Sequence, residues 1–171
     1  NETYFFRDKT PFDLLKNKII PDLIDLKSKH YSNRQIPIRI WSAACSTGQE
    51  VFSIGMTLSE LFPQKDRFDI RILGTDISSE AVARASYGKY NQFEVERGLN
   101  SYFLSKYFQK VANGWRIKDE IRSMANFQKM DLNRAFTGMG TFDVVFCRNV
   151  AIYFPPAGKV KLFQNIAKIL N

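Results

Sequence analysis

The stretch from Ile38 to Leu58, IRIWSAACSTGQEVFSIGMTL, restricts the fold of this chain more than any other. Ile38, Ile40 and Trp41 make a short β-favouring apolar run, Ser42 to Gly48 is a turn of small residues, and Val51, Ile54, Leu58, Leu61 and Phe62 then recur at helical spacing. The order strand, tight loop, helix aims the free N–H groups of the loop and of the helix start at one spot above the strand end, and small side chains let a ligand approach the backbone there. A dinucleotide fingerprint would need three spaced glycines. Only Gly48 stands in such a place, with Ala43, Ala44, Cys45, Ser46 and Thr47 in the others, so the loop suits a ligand without a pyrophosphate.

Asp69 to Gly74 (DIRILG) reads as a second strand with Asp76 just past its end. In an open parallel sheet, ligands lie at the carboxyl ends of the strands, where an acid accepts hydrogen bonds from ribose hydroxyls. Glu50, in the first helical turn, gains from the positive end of the helix dipole and lies within reach of the same ligand. A ribose clamp beside a phosphate-poor loop points to an adenosine cofactor such as S-adenosylmethionine rather than to NAD.

Together, NETYFFR, WSAACSTGQEVFSIGM, GTDIS, YFL and FCRNVAIYF, in that order across nearly all of the chain, resemble the catalytic domain of the CheR family of chemotaxis receptor methyltransferases. The resemblance implies an α/β fold: the class I S-adenosylmethionine-dependent methyltransferase sheet, Rossmann-like, with a small inserted α/β subdomain. It also implies the activity, methylation of glutamate side-chain carboxylates on the cytoplasmic helices of chemotaxis receptors. By the same resemblance Arg7 and Tyr153 lie nearest the chemistry, while Asn1, Thr3, Arg7, Glu50, Asp76, Asp131, Leu132, Arg148 and Asn149 surround the cofactor; the reading of the small-residue loop adds Ala43, where the cradle from Ala43 to Gly48 begins. Family members often carry asparagine where Asp131 stands, and an aspartate there accepts hydrogen bonds without donating them.

Composition bounds the rest. At 171 residues and 44% hydrophobic, with mixed charge, the chain suits one buried domain. No apolar run approaches a membrane span and no signal peptide is read, so a cytoplasmic protein without membrane insertion is expected. The two cysteines, Cys45 and Cys147, match no metal spacing, and Cys147 reads as a small buried strand residue. His30, the single histidine, sits in a polar linker with no orienting neighbours. A net charge of +8 favours acidic partners. The basic residues are interspersed with acids rather than massed, so nucleic acid is not the specific partner expected.

Along the chain, Asn1 to Arg7 is a terminal arm whose Tyr4, Phe5 and Phe6 either pack on the body or leave Asn1, Thr3 and Arg7 at a site mouth. Thr10-Pro11 predicts a capped helix start, with Pro21 kinking or dividing the helix that follows. Ser78 or Ser79 caps a later helix that ends near Tyr87-Gly88. The segment 90–125 breaks the strand–helix alternation and reads as an inserted subdomain: Leu99 to Phe108 is helical in pattern, and Asn113-Gly114 marks a hairpin. Residues 1–89 and 126–171 form the two parts of the core. The basic residues Arg97, Lys106, Lys110, Arg116, Lys118 and Arg122 either meet an acidic partner or form a solvated face. Asn126 to Met130 is a third core strand ending at Asp131, Phe142 to Cys147 a buried fourth, and Lys159 to Leu170 an amphipathic helix started by Pro155-Pro156. The sheet is expected to be truncated at its C-terminal side, with its final strands missing and the fourth strand an open edge.

Overall fold

In the computed structural model, residues 2–32, 34–62 and 65–171 are described. Two apolar periodicities, two for strands and 3.6 for helices, build a parallel sheet with helices on its faces and a smaller antiparallel sheet beside it. The chain runs α1 (Lys9–Leu14), a π-helical turn (Leu15–Ile19), α2 (Ile20–Ser28), β1 (Ile36–Ala43), α3 (Gln49–Leu61), β2 (Phe68–Asp76), α4 (Ser79–Tyr87) and β3 (Lys89–Tyr90). It continues through α5 (Gln92–Glu96), α6 (Ser101–Tyr107), β4 (Phe108–Val111), β5 (Gly114–Ile117), α7 (Asp119–Arg122), β6 (Ala125–Lys129), β7 (Val144–Cys147) and α8 (Pro156–Ala167).

The large sheet has the order β6-β2-β1-β7, and every pairing in it is parallel. Taken in chain order its strands therefore run third, second, first, fourth, the arrangement of a doubly wound α/β fold. The direction of winding reverses between β1 and β7, which is where such sheets open a crevice at the carboxyl ends of their strands. Strand β7 is an edge of this sheet, as expected. The small sheet, order β3-β5-β4, is antiparallel and closes on the hairpin at Ala112-Asn113, where Asn113 has φ 59°.

Burial explains the layers. Ile38, Ile40, Val51, Ile54, Leu58, Ile72 and Phe146 pack with Phe12, Leu15 and Ile20 on one side of the sheet. Trp41, Phe142, Leu162, Ile166 and Ile169 fill the other side under α8. Phe5, Phe52, Tyr90, Tyr107, Phe108 and Ile117 join the arm and α3 to the small sheet. Of the arm's aromatics, Phe5 is fully buried, so this part of the arm packs on the body.

Several element ends differ from those read in the sequence. The first helix starts at Lys9 behind Asp8, whose φ of 54° is left-handed and whose side chain makes no cap bond, so Thr10 is not the cap. The division of that helix precedes Pro21: the chain passes from the π turn at Leu15–Ile19 straight into α2, and it stays helical through Ile19 (φ −63°, ψ −50°), so Pro21 does not break it. The ends of α4, in contrast, agree with the reading: of the two serines Ser78 is the cap, accepting from the Ala81 N–H at 3.2 Å, and Gly88 ends the helix at φ 67°. Helix α8 begins at Pro156 and stops at Ala167, because Leu170 is drawn into a parallel bridge with Phe142.

Asp143 interrupts the apolar run of β7 for a structural reason. Its side chain is fully buried, yet it accepts from Lys27 Nζ at 2.7 Å, the Arg39 N–H at 2.8 Å and Asn171 Nδ2 at 2.9 Å. One carboxylate thereby ties α2, β1 and the chain beyond α8 to the start of β7. Removing one partner of such a pair leaves the other charge buried and uncompensated. Asp143→Ala should therefore destabilise the fold by about 3–5 kcal/mol, measured as a loss in the free energy of urea unfolding, whereas Lys18→Ala, which breaks an exposed pair with Asp22, should change it by less than about 0.5 kcal/mol.

Candidate functional site

A cleft of about 500 Å³ opens at the carboxyl ends of the large sheet. Each strand contributes to its wall: Ala44, Cys45 and Ser46 after β1, Asp76 at the end of β2 and Ile77 after it, Met130 to Asn133 after β6, and Arg148 to Val150 with Ile152 to Phe154 after β7. Glu50 of α3 and Glu2, Thr3, Tyr4 and Arg7 of the arm complete it. The cleft thus lies at the topological reversal, as the sheet order requires.

The loop after β1 is held in an unusual conformation. Ala44, Ser46 and Gly48 all have positive φ, at 57°, 51° and 93°. For the two residues with side chains this costs about 1–3 kcal/mol each, so surrounding bonds must fix it. The Cys45 N–H donates to the Thr75 carbonyl at 2.8 Å, the Ser46 N–H to Asp76 Oδ2 at 2.9 Å and the Gly48 N–H to the Cys45 carbonyl at 3.1 Å. Gly48 has a second reason to lack a side chain, since a Cβ there would stand 2.9 Å from the Ala85 Cβ. Positive φ without glycine recurs around the cleft, at Asn149 (56°) on its wall and at Phe6 (52°) and Asp8 (54°) on either side of Arg7. Sequence pattern carries no signal for these conformations, because alanine, serine and phenylalanine rarely adopt them.

Charge is concentrated on one ion network. Arg148 donates from Nη1 to Glu50 Oε2 at 3.0 Å and from Nη2 to Asp8 Oδ2 at 2.9 Å and to the Arg7 carbonyl at 2.6 Å. Its guanidinium also lies 5.6 Å above the Phe12 ring centroid. Ser42 Oγ donates to the other oxygen of Glu50 at 2.8 Å. Burial pushes the Glu50 carboxyl above its usual range, against the lowering by Ser42 and Arg148. Burial likewise lifts Cys45 to about 12 and Cys147 to about 11, so both thiols stay protonated and neither is an activated nucleophile.

Of the residues expected around a cofactor, Thr3, Arg7, Glu50, Asp76, Asp131, Leu132, Arg148 and Asn149 line the cleft, as does Tyr153. Asn1 lies outside the described residues. Ala43 does not line the cleft: as the last residue of β1 it is buried with Trp41 and Leu132, and the wall is formed by its successors, where the chain turns out of the strand. Asp76 is the final residue of β2 rather than beyond it, and its Oδ1 accepts from the Ser78 N–H at 2.9 Å. Asp131 turns one oxygen to the Asn133 N–H and Nδ2, both at 2.9 Å, bonds that hold its carboxyl below the usual range. Arg7 is half-buried and donates to the Glu2 carbonyl. Tyr153 stands on the rim, 70% exposed, next to Ile152 at 68%. Among the described residues no cluster fit to hold a metal ion is present, and no helix is long and apolar enough to cross a membrane.

The basic residues outside the cleft are only partly free to meet a partner. Arg97 pairs with Glu2, Lys106 with Glu60 at 2.7 Å and Arg122 with Asp119 at 2.9 Å. Lys110 and Arg116 lie over the rings of Trp115 and Tyr87 at 5.9 and 5.2 Å.

Comparison with known proteins places these features in context. The family model described as "CheR methyltransferase, SAM binding domain" matches residues 1–171. A chemotaxis protein methyltransferase of Pseudomonas putida, Cher2, is 38% identical over 176 residues covering 100% of this chain and 62% of that protein. One from Vibrio parahaemolyticus is 37% identical over 174 residues, covering 100% and 60%. Chemotaxis protein methyltransferase 1 of Pseudomonas aeruginosa is 39% identical over 159 residues, covering 90% and 56%. The chain therefore spans about 60% of the length of these relatives.

Because the folded-state pKa of Glu50 lies above 4.5, the folded chain keeps a proton there that the unfolded chain has released. Stability from this group is full below that value and declines as pH rises through the interval above it. Glu50→Gln removes the titration, so the stability of the wild type relative to this variant should fall with rising pH across that interval. Arg148→Met, which removes a lowering charge, should move the decline to higher pH; urea unfolding at stepped pH reads both.

Proposed function

The chain belongs to the CheR methyltransferase family, and on that premise we propose that it transfers the methyl group of S-adenosylmethionine to glutamate carboxylates on the cytoplasmic helices of chemotaxis receptors, leaving glutamyl methyl esters. The observation that carries this reading is the loop after β1. Left-handed backbone at Ala44, Ser46 and Gly48 brings bare main chain to the cleft beside the Asp76 carboxylate.

The residues present fit such a cofactor. Of the acids on the cleft wall, Glu2 pairs with Arg97, Glu50 with Arg148 and Asp131 with Arg134, while Asp76 bonds main-chain N–H groups with no cation beside it among the described residues, so its carboxylate is the one left to meet a cationic ligand. The volume of the cleft lies in the range of small-molecule sites, about 300–1,000 Å³. Asp76 uses one lone pair on each oxygen for the Ser46 and Ser78 N–H groups. A carboxylate has about four such sites, so Asp76 keeps capacity for ribose hydroxyls. Asp131 Oδ2, which lies 3.8 Å from Arg134 Nε, keeps lone-pair capacity to accept from an adenine amino group, and Leu132 offers apolar contact. Thr3 and Asn149 add polar groups at the wall. Glu50 acts at one remove, by holding Arg148 and the strand end in place.

When bound, a methyl sulfonium supplies an electrophilic carbon and a neutral leaving group. The incoming glutamate, with a reference pKa of about 4.3, is already ionised at neutral pH, so the C–O bond forms as the C–S bond breaks with no general base. That matches a cleft with protonated thiols and no histidine on its wall. What the chain must provide is position and exclusion of water. Arg7, with one Nη spent on the Glu2 carbonyl, retains donors for the incoming carboxylate. Tyr153 and Ile152, exposed on the rim, cover the approach. Residues 90–125 form the inserted subdomain in this reading, and residues 1–89 and 126–171 the class I methyltransferase core.

Two tests separate this from the nearest alternatives, an RNA-methylating enzyme and a cofactor-binding module without activity. Incubation with receptor fragments and methyl-labelled donor should yield product that releases methanol in mild base; methylated nucleobases or amines would not. Arg7→Ala should lower turnover about a hundredfold while calorimetric binding of S-adenosylhomocysteine persists. Unchanged turnover in that variant would remove Arg7 from the chemistry.

A further inference from the structure

We propose that Tyr90 is a positioning residue for the methyl-donor loop: its phenol hydroxyl, delivered from the small antiparallel sheet, holds the Thr47 carbonyl and so fixes the turn on which the cofactor reading above rests. The hydroxyl donates to that carbonyl at 2.7 Å across 43 residues of sequence. Of the main-chain ties on residues 45–48 among the described residues, this one alone reaches the loop from the second sheet, the others running to Thr75, Asp76, Phe52 of α3 and within the loop.

Tyr90 has almost no freedom to release its grip. It is 2% exposed, and it is paired with Trp115 in the ladder between β3 and β5. Rings from three other segments brace it edge-on: Phe5 of the arm at 5.0 Å and 78°, Phe52 of α3 at 6.3 Å and 83°, and Phe108 of β4 at 6.5 Å and 70°. The hairpin is pressed against its main chain, since a Cβ on Gly114 would stand 2.3 Å from the Tyr90 carbonyl oxygen. On the loop side a Cβ on Gly48 would stand 3.2 Å from the phenol oxygen, so the left-handed glycine lies directly against the hydroxyl. Burial pushes the phenol well above its usual range, which keeps the proton on the donor. The small sheet is therefore a scaffold for the cleft as well as a surface feature, and Tyr90 is the point at which it acts.

Tyr90→Phe keeps the ring and deletes the bond. Tyr107→Phe is the matched control, because Tyr107 is also buried but its hydroxyl bonds to Glu60, away from the loop. Calorimetric titration with S-adenosylhomocysteine should show Kd raised about fivefold in Tyr90→Phe, the equivalent of one ordinary hydrogen bond, and unchanged in Tyr107→Phe. KM for the methyl donor should rise with it and KM for the receptor fragment should not. Equal affinities in the wild type and Tyr90→Phe, or equal losses in both variants, would overturn the proposal. Should the wild type not bind S-adenosylhomocysteine, the cofactor reading fails separately, and amide exchange still decides the role of Tyr90: a Gly48 amide that exchanges faster in Tyr90→Phe than in Tyr107→Phe supports it, and equal rates overturn it. If Tyr90→Phe does not fold, exchange in the wild type decides: ligand-induced protection that extends from Gly48 to Tyr90 and Trp115 supports the coupling, and protection confined to the loop overturns it.

Discussion

Two segments far apart in sequence meet on the guanidinium of Arg148: the start of α3 through Glu50, and the arm through Asp8 and the Arg7 carbonyl. A largely buried cation must be paired, and a buried carboxyl must be compensated: Arg148 is met by Glu50, Asp8 and the Arg7 carbonyl, and Glu50 by Arg148 and Ser42. Once they are paired, the end of β7, the first turn of α3 and the arm have one mutual arrangement, and the cleft between them has a fixed floor. The left-handed residues Phe6, Asp8 and Asn149 flank this pair, where the network can hold a backbone that would otherwise relax.

A second constraint is close approach of backbones. Gly98 passes so near the arm that a Cβ would lie 1.9 Å from the Phe5 carbonyl oxygen, and Phe5 itself is fully buried between Tyr90 and Phe108. The arm is thus clamped twice, by the ion network at Arg7–Asp8 and by aromatic packing at Phe5. Only between these clamps does Arg7 face the cleft. The arm that looks like a loose terminus in sequence is part of the wall.

Much of the fold was legible in the residues, because it rests on patterns with short range. The β1 run, the helical spacing after Gly48, the Gly88 stop and the Asn113-Gly114 hairpin fall where the residues place them, and Ser78 is the cap of the two serines offered; the small-residue loop is shorter than its reading, because β1 continues through Ser42 and Ala43. The failures involve partners distant in sequence. Nothing local marks Asp143 as a buried hub for Lys27, Arg39 and Asn171, or Arg148 as the mate of Glu50, 98 residues away. The π turn at Leu15–Ile19 has no local signature either. The residues that the family resemblance assigns to the cofactor line the cleft wherever they are described, whereas Ala43, assigned from the small-residue loop, lies inside β1, one residue short of the point where the chain leaves the strand. The left-handed alanine and serine of the loop contradict local preference, as residues at a functional site do when the surrounding structure holds them.

The central claim is that the loop from Ala44 to Gly48, Asp76 and the Arg148 network form one seat for an adenosyl ligand. A crystal structure with S-adenosylhomocysteine tests it directly. The account predicts ribose hydroxyls on Asp76, the ligand's main body against residues 44–48, and the sulfur on the side facing Arg7. A ligand bound away from the carboxyl ends of the strands, or a loop whose left-handed residues unwind when the ligand enters, would contradict it.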